Sequence, residues 1–149
     1  MVGSILETMM STPYPTKTDA RKMAYRPSNK EAEKVFKAIN GRIFGDILEV
    51  PPVRLKRVRK AWGWCDGQYK EKHGIWIPYT KEIIMYPNYP SIHLFVATLG
   101  HEMVHHWQWT INSIERIAQG KKPLMSHGPS FYQWRDVFKK NGLPLTRSM

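Results

Sequence analysis

The sequence predicts an α+β fold on three observations. Apolar residues recur at helical spacing over 28–45 and again over 91–107. Between them, from Val50 to Pro87, short β-branched and aromatic runs alternate with smaller or polar residues. After the breakers at Gly120 and Pro123, a new helix start is written at 126–131. In a chain of 149 residues this order gives one compact domain. Its expected form is a small antiparallel sheet of three or four strands packed on an N-terminal helix, a central helix and a C-terminal helix.

Residues 1–27 are expected to be an arm. Pro13, Pro15 and Pro27 interrupt it, and only Thr18 to Ala24 could hold a helical turn. Its basic residues Lys17, Arg21, Lys22 and Arg26 either meet phosphates or are solvated. The folded domain is then 28–149. Ser28 is an N-cap, and Glu31 three residues later completes a capping box. Ala32, Val35, Phe36, Ile39 and Ile43 share one face of the helix that follows, after which Phe44, Ile47 and Leu48 return the chain toward the core.

Strands are expected at Val53-Arg54-Leu55, Ala61 to Cys65, Gly74 to Pro78 and Glu82 to Tyr86. Asp66-Gly67 and His73-Gly74 read as turns. Pro90-Ser91 is a breaker and an N-cap for the central helix. Ile92, Phe95, Val96, Leu99, Met103 and Trp107 form its apolar stripe, and Ile111, Ile114 and Ile117 could extend a helical pattern to Gly120. Pro129 falls in the first turn of the last helix, whose buried face is Phe131, Trp134 and Phe138; Asn141-Gly142 and Pro144 stop it.

Composition narrows the function classes. Apolar residues at 42% and aromatics at 12% suffice for a core. No run has the length of a transmembrane helix, and Met1 to Met10 does not read as a secretory leader. The lone Cys65 excludes an internal disulfide and a cysteine zinc ribbon, and reads as a small core residue. A cytoplasmic monomer is the expectation. The net charge of +11 favours polyanionic partners, nucleic acid before anionic membrane, or serves solubility alone.

The chemistry is concentrated in His101-Glu102-Met103-Val104-His105. On a helix, residues four apart lie about 40° apart and one turn along the axis, so both imidazoles reach one ion. Zn²⁺ accepts neutral imidazole and needs only three protein ligands to catalyse. Glu102 is turned aside but near the metal, where a carboxylate can take a proton from zinc-bound water. Two core or surface histidines would satisfy the same pattern. The periodic helix and a third histidine, His127, in a specific context weigh against that reading. His106 falls on the apolar stripe and reads as a hydrogen-bonded core histidine; His73 and His93 read as structural or surface residues.

His101-Glu102-x-x-His105 followed by His127-Gly128-Pro129-x-Phe131 resembles the SprT-like zinc metalloprotease domain, the Spartan/SprT family, which includes a DNA-dependent protease. The resemblance spans 29–144 in element order and includes Asn40-Gly41-Arg42-Ile43-Phe44-Gly45-Asp46-Ile47-Leu48. It implies a compact zincin-like domain with one Zn²⁺ per chain on His101, His105 and His127. It also implies that Glu102 is the catalytic acid/base in peptide-bond hydrolysis through a metal-bound water, on a protein or peptide substrate that is DNA-associated in some relatives. Two departures stand: the 106–126 interval carries the Ile111 to Pro123 segment, and no cysteine-rich ribbon follows His127.

Three further expectations concern partners. Arg54, Lys56, Arg57, Arg59 and Lys60 are the densest basic cluster and the expected DNA contact, directly before Trp62 and Trp64. Those tryptophans either stack bases or pack in the core. A substrate peptide could add to an edge strand at Glu82 to Tyr86, and Tyr132 is a candidate oxyanion donor. The rival readings are a nucleic-acid-binding protein with a structural or vestigial zinc site and a hydrolase of non-peptide substrates. An intact Glu102 argues against the first.

Overall fold

The computed structural model describes residues 25–57 and 60–147. Helix α1 spans Asn29–Ile43, and three strands follow: β1 Val53–Leu55, β2 Gly63–Lys72 and β3 Ile75–Met85. Helix α2, Ile92–Trp107, runs into a π-helical segment Gln108–Asn112 and then α3, Ser113–Ala118. Two short helices close the chain, α4 Pro129–Tyr132 and α5 Arg135–Lys140. Among the described residues no helix is long and apolar enough to cross a membrane.

Both long helices start where their side chains can cap them. The Ser28 hydroxyl accepts from the Glu31 amide and the Glu31 carboxylate accepts from the Ser28 amide, so two orphan donors are satisfied at once. Ser91 caps α2 by accepting from the Leu94 amide at 3.2 Å. Ala32, Val35, Phe36, Ile39 and Ile43 are buried as their spacing requires. Asn40 fixes the turn after α1 by bonding the Leu48 carbonyl and amide, and Phe44 and Leu48 are buried there. Ile47 is not: it is 53% exposed, because the turn that buries its neighbours points it outward. The arm assigned to 1–27 lies outside the described residues as far as 24. Tyr25 is held to the body by paired backbone hydrogen bonds with Tyr89.

The sheet corrects the expected antiparallel arrangement. It has three strands in the order β1-β3-β2, and β1 pairs with β3 in parallel, Val53 against Ile83. The chain leaves β1 beside Met85 and starts β2 on the far side of that residue, so β3 threads back between two strands already laid down. The Gly74 to Pro78 and Glu82 to Tyr86 runs are one strand. Asp66-Gly67 is a register shift inside β2 rather than a turn, whereas His73-Gly74 is the hairpin turn, with both residues at positive φ. Consequently 83–85 is paired on both sides and cannot be the docking edge expected at Glu82 to Tyr86. The outer edge nearest the motif is β2.

Helix α2 is buried nearly all round, from Phe95 to His106. The apolar stripe faces the core, with Phe95, Val96, Leu99 and Met103 fully enclosed. The opposite face is covered too, by the start of β2 and by the segment leading to α4. The single C-terminal helix expected over 126–141 is broken at Gln133-Trp134 into α4 and α5, while Phe131 and Phe138 are buried as expected.

Candidate metal centre

His101 and His105 lie one turn apart on α2, and His127 arrives from the segment just before α4. Gly128 precedes α4 and Pro129 opens it, so the chain enters the helix with His127 directed back at α2. The His127 Nε2 atom is 3.2 Å from His105 Nε2 and 3.2 Å from His101 Nε2. Two ligands at zinc–nitrogen bonds of about 2.05 Å and a tetrahedral angle stand about 3.3 Å apart. Both distances to His127 therefore match ligands around one tetrahedral ion, and all three ligand atoms lie within 4.8 Å of one another. They are the one cluster of histidine, cysteine and carboxylate groups among the described residues that could hold a metal.

Phe131 explains the spacing of the second motif. Its ring centre lies 4.8 Å from that of His101 and 5.0 Å from those of His105 and His127, a wedge against all three imidazoles. A ring here restricts the rotation of each imidazole, which pre-organises the set.

Protonation favours ligation. Burial, with the neighbouring imidazoles His105 and His127, drives the His101 pKa from 6.5 down to about 3; the Thr146 backbone acts weakly the other way. Burial similarly lowers His105 to about 4. His127, the most open of the three, is lowered by burial and by the Arg147 guanidinium. All three are neutral imidazoles at neutral pH, the form that binds a cation.

The tautomer of His105 is set by Gln108, which sequence reasoning missed. His105 Nδ1–H donates to Gln108 Oε1 at 2.8 Å, leaving the Nε2 lone pair for the cluster. The same amide donates to the Ser126 carbonyl and the Ser130 hydroxyl, and its oxygen accepts from the Ser126 amide. Gln108 thus ties the end of α2 to the segment carrying His127. The signal was its place three residues after a ligand histidine, on the same helical face.

Glu102 is enclosed beside the cluster, with a carboxylate oxygen 4.0 Å from His101 Nε2. Burial raises its pKa from 4.5 to about 8, and a hydrogen bond from the Cys65 backbone pulls it back. Gly63 lets β2 approach it closely: a Cβ there would stand 3.1 Å from Glu102 Cγ and 3.0 Å from a Thr98 methyl. The three histidines and Glu102 open onto a cleft of about 330 Å³ between Gly63–Cys65 of β2 and Met125–His127, with Arg147 at its rim.

Other expectations divide. His106 is a hydrogen-bonded core residue: Nδ1 meets Thr80 Oγ1 at 2.6 Å and Nε2 meets the Glu49 carbonyl at 2.8 Å. His73 is an exposed turn residue, His93 is buried, and Cys65 is buried with its thiol pKa raised by that burial. Trp62 packs on Tyr86 and Tyr89, whereas Trp64 is exposed and lines the cleft. Tyr132 does not line the cleft; its ring meets Phe131 edge to face and lies under the Arg135 guanidinium, 4.3 Å from the ring centre. In the basic cluster, Arg54 is spent on Glu82 at 3.1 Å, while Lys56, Arg57 and Lys60 are exposed in the connection after β1 rather than on a strand. Arg59 lies outside the described residues. No family model, no curated protein and no solved structure matches this chain.

Proposed function

We propose that the protein is a zinc-dependent metallopeptidase of zincin type, with His101, His105 and His127 as ligands and Glu102 as general base. The observation that carries the reading is the convergence of three neutral imidazoles, with His127 Nε2 3.2 Å from the Nε2 atoms of both His101 and His105, beside an enclosed carboxylate. The donor set fits zinc: three imidazoles hold the ion and leave one position open. Bound there, zinc would supply Lewis acidity and bring a water's pKa toward neutrality.

The chain's own residues do the rest. Glu102 accepts the water's proton and delivers it to the departing amine; a purely structural site has no use for such a carboxylate. Its surroundings hold its pKa near the working range, and an adjacent cation would bring it down further. The outer edge of β2 at Gly63–Cys65 lines the cleft, so an extended peptide adding there would run its backbone past the ligands. Arg147 replaces Tyr132 as the candidate donor to the developing oxyanion. Arg147→Gln should lower kcat by about a hundredfold with zinc content unchanged, and an unchanged kcat removes it from that role.

The deciding experiment is casein cleavage by Glu102→Gln beside the wild type. The substitution keeps size and hydrogen bonding but removes the base, so zinc content and melting should be retained while the rate falls about a thousandfold. Cleavage at the wild-type rate would end the proposal. Single-stranded DNA added to the same assay tests whether Lys56, Arg57, Arg59 and Lys60 recruit the enzyme to DNA-bound substrates. Stimulation should fade steeply with salt, since each neutralised phosphate releases counterions. No binding at low salt favours a plain peptidase.

A further inference from the structure

On the far side of α2 from the histidine cluster lies a second concavity, about 440 Å³, that the metal chemistry does not use. One wall is the β2–β3 hairpin. Its register pairs Lys70 with Ile77 and Gln68 with Tyr79, so these side chains share one face. The other wall is the π segment and the start of α3, which present Ile111 and Ile114. Ile47 and Val50, from the connection after α1, complete it. His106 lies at the floor with both nitrogens already bonded, so it offers no ligand atom.

Two features say what this surface is for. Large aliphatic side chains stand out of the core around it: Ile47 is 53% exposed, Val50 42% and Ile114 50%. Ile117, one turn beyond Ile114 on the same side, is 43% exposed and prolongs the apolar line past the concavity. A contiguous apolar set around a concave surface marks a binding site rather than chance exposure. Positive charge predominates as well, two lysines against the single acid Glu49 near the floor. Lys70 and Lys72 reach over the groove, and among the described residues neither has an acidic partner. Lys70 is steadied 5.2 Å above the Tyr79 ring.

We infer that this groove docks an acidic amphipathic helix of a partner protein, with aliphatic side chains seated on the isoleucines and carboxylates meeting Lys70 and Lys72. Aliphatic walls suit leucine and isoleucine anchors spaced three and four residues apart. They do not suit nucleic-acid bases, which stack on aromatic faces, and Lys70 already covers the Tyr79 ring. The line from Ile111 to Ile117 runs about 9 Å along its helix, close to two turns of a docked helix. The site stands independently of peptidase activity, because binding alone reads it.

The test is fluorescence anisotropy with labelled 16-residue helical peptides carrying leucines on one face and glutamates on the other (the glutamates set at several angles to the leucines), beside the same set with lysine for glutamate. At least one glutamate peptide should bind saturably, and the lysine set should bind about tenfold or more weakly. Lys70→Glu with Lys72→Glu should reverse that order. Ile114→Ser should weaken the glutamate peptide by about tenfold, the loss of one seated aliphatic side chain. Each change is at an exposed position, and an unchanged melting temperature and zinc content show that the fold is intact. The inference is overturned if no glutamate peptide binds, if both sets bind alike, or if a single-stranded oligonucleotide binds and is lost in the lysine variant while the peptides are not.

Discussion

His105 and His106 are neighbours in sequence, are both buried, and have opposite fates. His105 gives Nδ1–H to Gln108 and keeps Nε2 free to face His127. His106 points to the other side of α2 and uses both nitrogens, one on Thr80 and one on the Glu49 carbonyl. A buried imidazole becomes a ligand when its second nitrogen is oriented by an acceptor and its first meets other lone pairs. It becomes a structural brace when both nitrogens are used by the fold. The two sides of one helix thus carry the histidine cluster and the second concavity, divided by a single step of about 100° along the chain.

The comparison breaks most visibly in the metal itself. His105→Ala should abolish zinc binding and lower the melting temperature of the zinc-loaded protein, because ligation energy is also folding energy. His106→Ala should keep one zinc per chain and instead destabilise the fold by about 1–3 kcal/mol, the cost of leaving Thr80 and the Glu49 carbonyl unpaired. Metal analysis and thermal melts on both variants check this. Zinc retained in His105→Ala, or lost in His106→Ala, would reverse the assignment.

A smaller effect should come from the residue that orients His105. Gln108→Leu removes the acceptor for Nδ1–H and unties Ser126 and Ser130 from the end of α2. Zinc affinity should fall by about 10–100-fold, the usual cost of losing such a partner, while some metal is still bound at saturation. Competition with a chelator of known affinity measures it, and an unchanged affinity would make Gln108 a packing residue only.

Much of this was legible in the sequence, for reasons that differ by element. The caps at Ser28 and Ser91, the α2 stripe and the pairing of His101 with His105 on one face were readable because helical period and capping chemistry are local, and the convergence of His127 on that pair was readable from its motif. So was His106 as a core residue, since the helical wheel alone turns it away from His101. The parallel β1 was not readable, because pairing across a sheet depends on where the chain returns rather than on any strand's own residues. Asp66-Gly67 carried a genuine turn signal, yet β2 absorbs it as a bulge, and the indole N–H of Trp109 donates to the Gln68 carbonyl beside it. Gln108 and Arg147 were missed for the same reason. Gln108 bonds Ser126 and Ser130 and Arg147 lines the cleft from well beyond His127, so both placements depend on segments far away in sequence, and neither residue belongs to a motif.

The finest distinction is the pH dependence of the zinc-stripped protein. His101 and His105 have folded pKa values of about 3 and about 4 against 6.5 when free, and His106 is also lowered by burial. Below pH 6.5 the unfolded chain therefore binds more protons than the folded one, and stability is lost as pH falls through the folded values. Glu102 acts in the opposite sense. Its folded pKa of about 8 stands above 4.5, so its contribution is present at low pH and lost as pH rises toward 8. Between 4.5 and 6.5 the histidines outweigh the one carboxyl group; above 6.5 the larger remaining difference among these four groups is that of Glu102. Melting temperature should thus rise to a maximum near pH 6.5 and decline gently to pH 8. Glu102→Gln should remove the alkaline decline alone. Zinc should steepen the acid limb, because protons then compete with metal at His101, His105 and His127 but not at His106. A zinc-loaded protein with the same acid limb as the stripped one would mean that these three imidazoles do not share the ion.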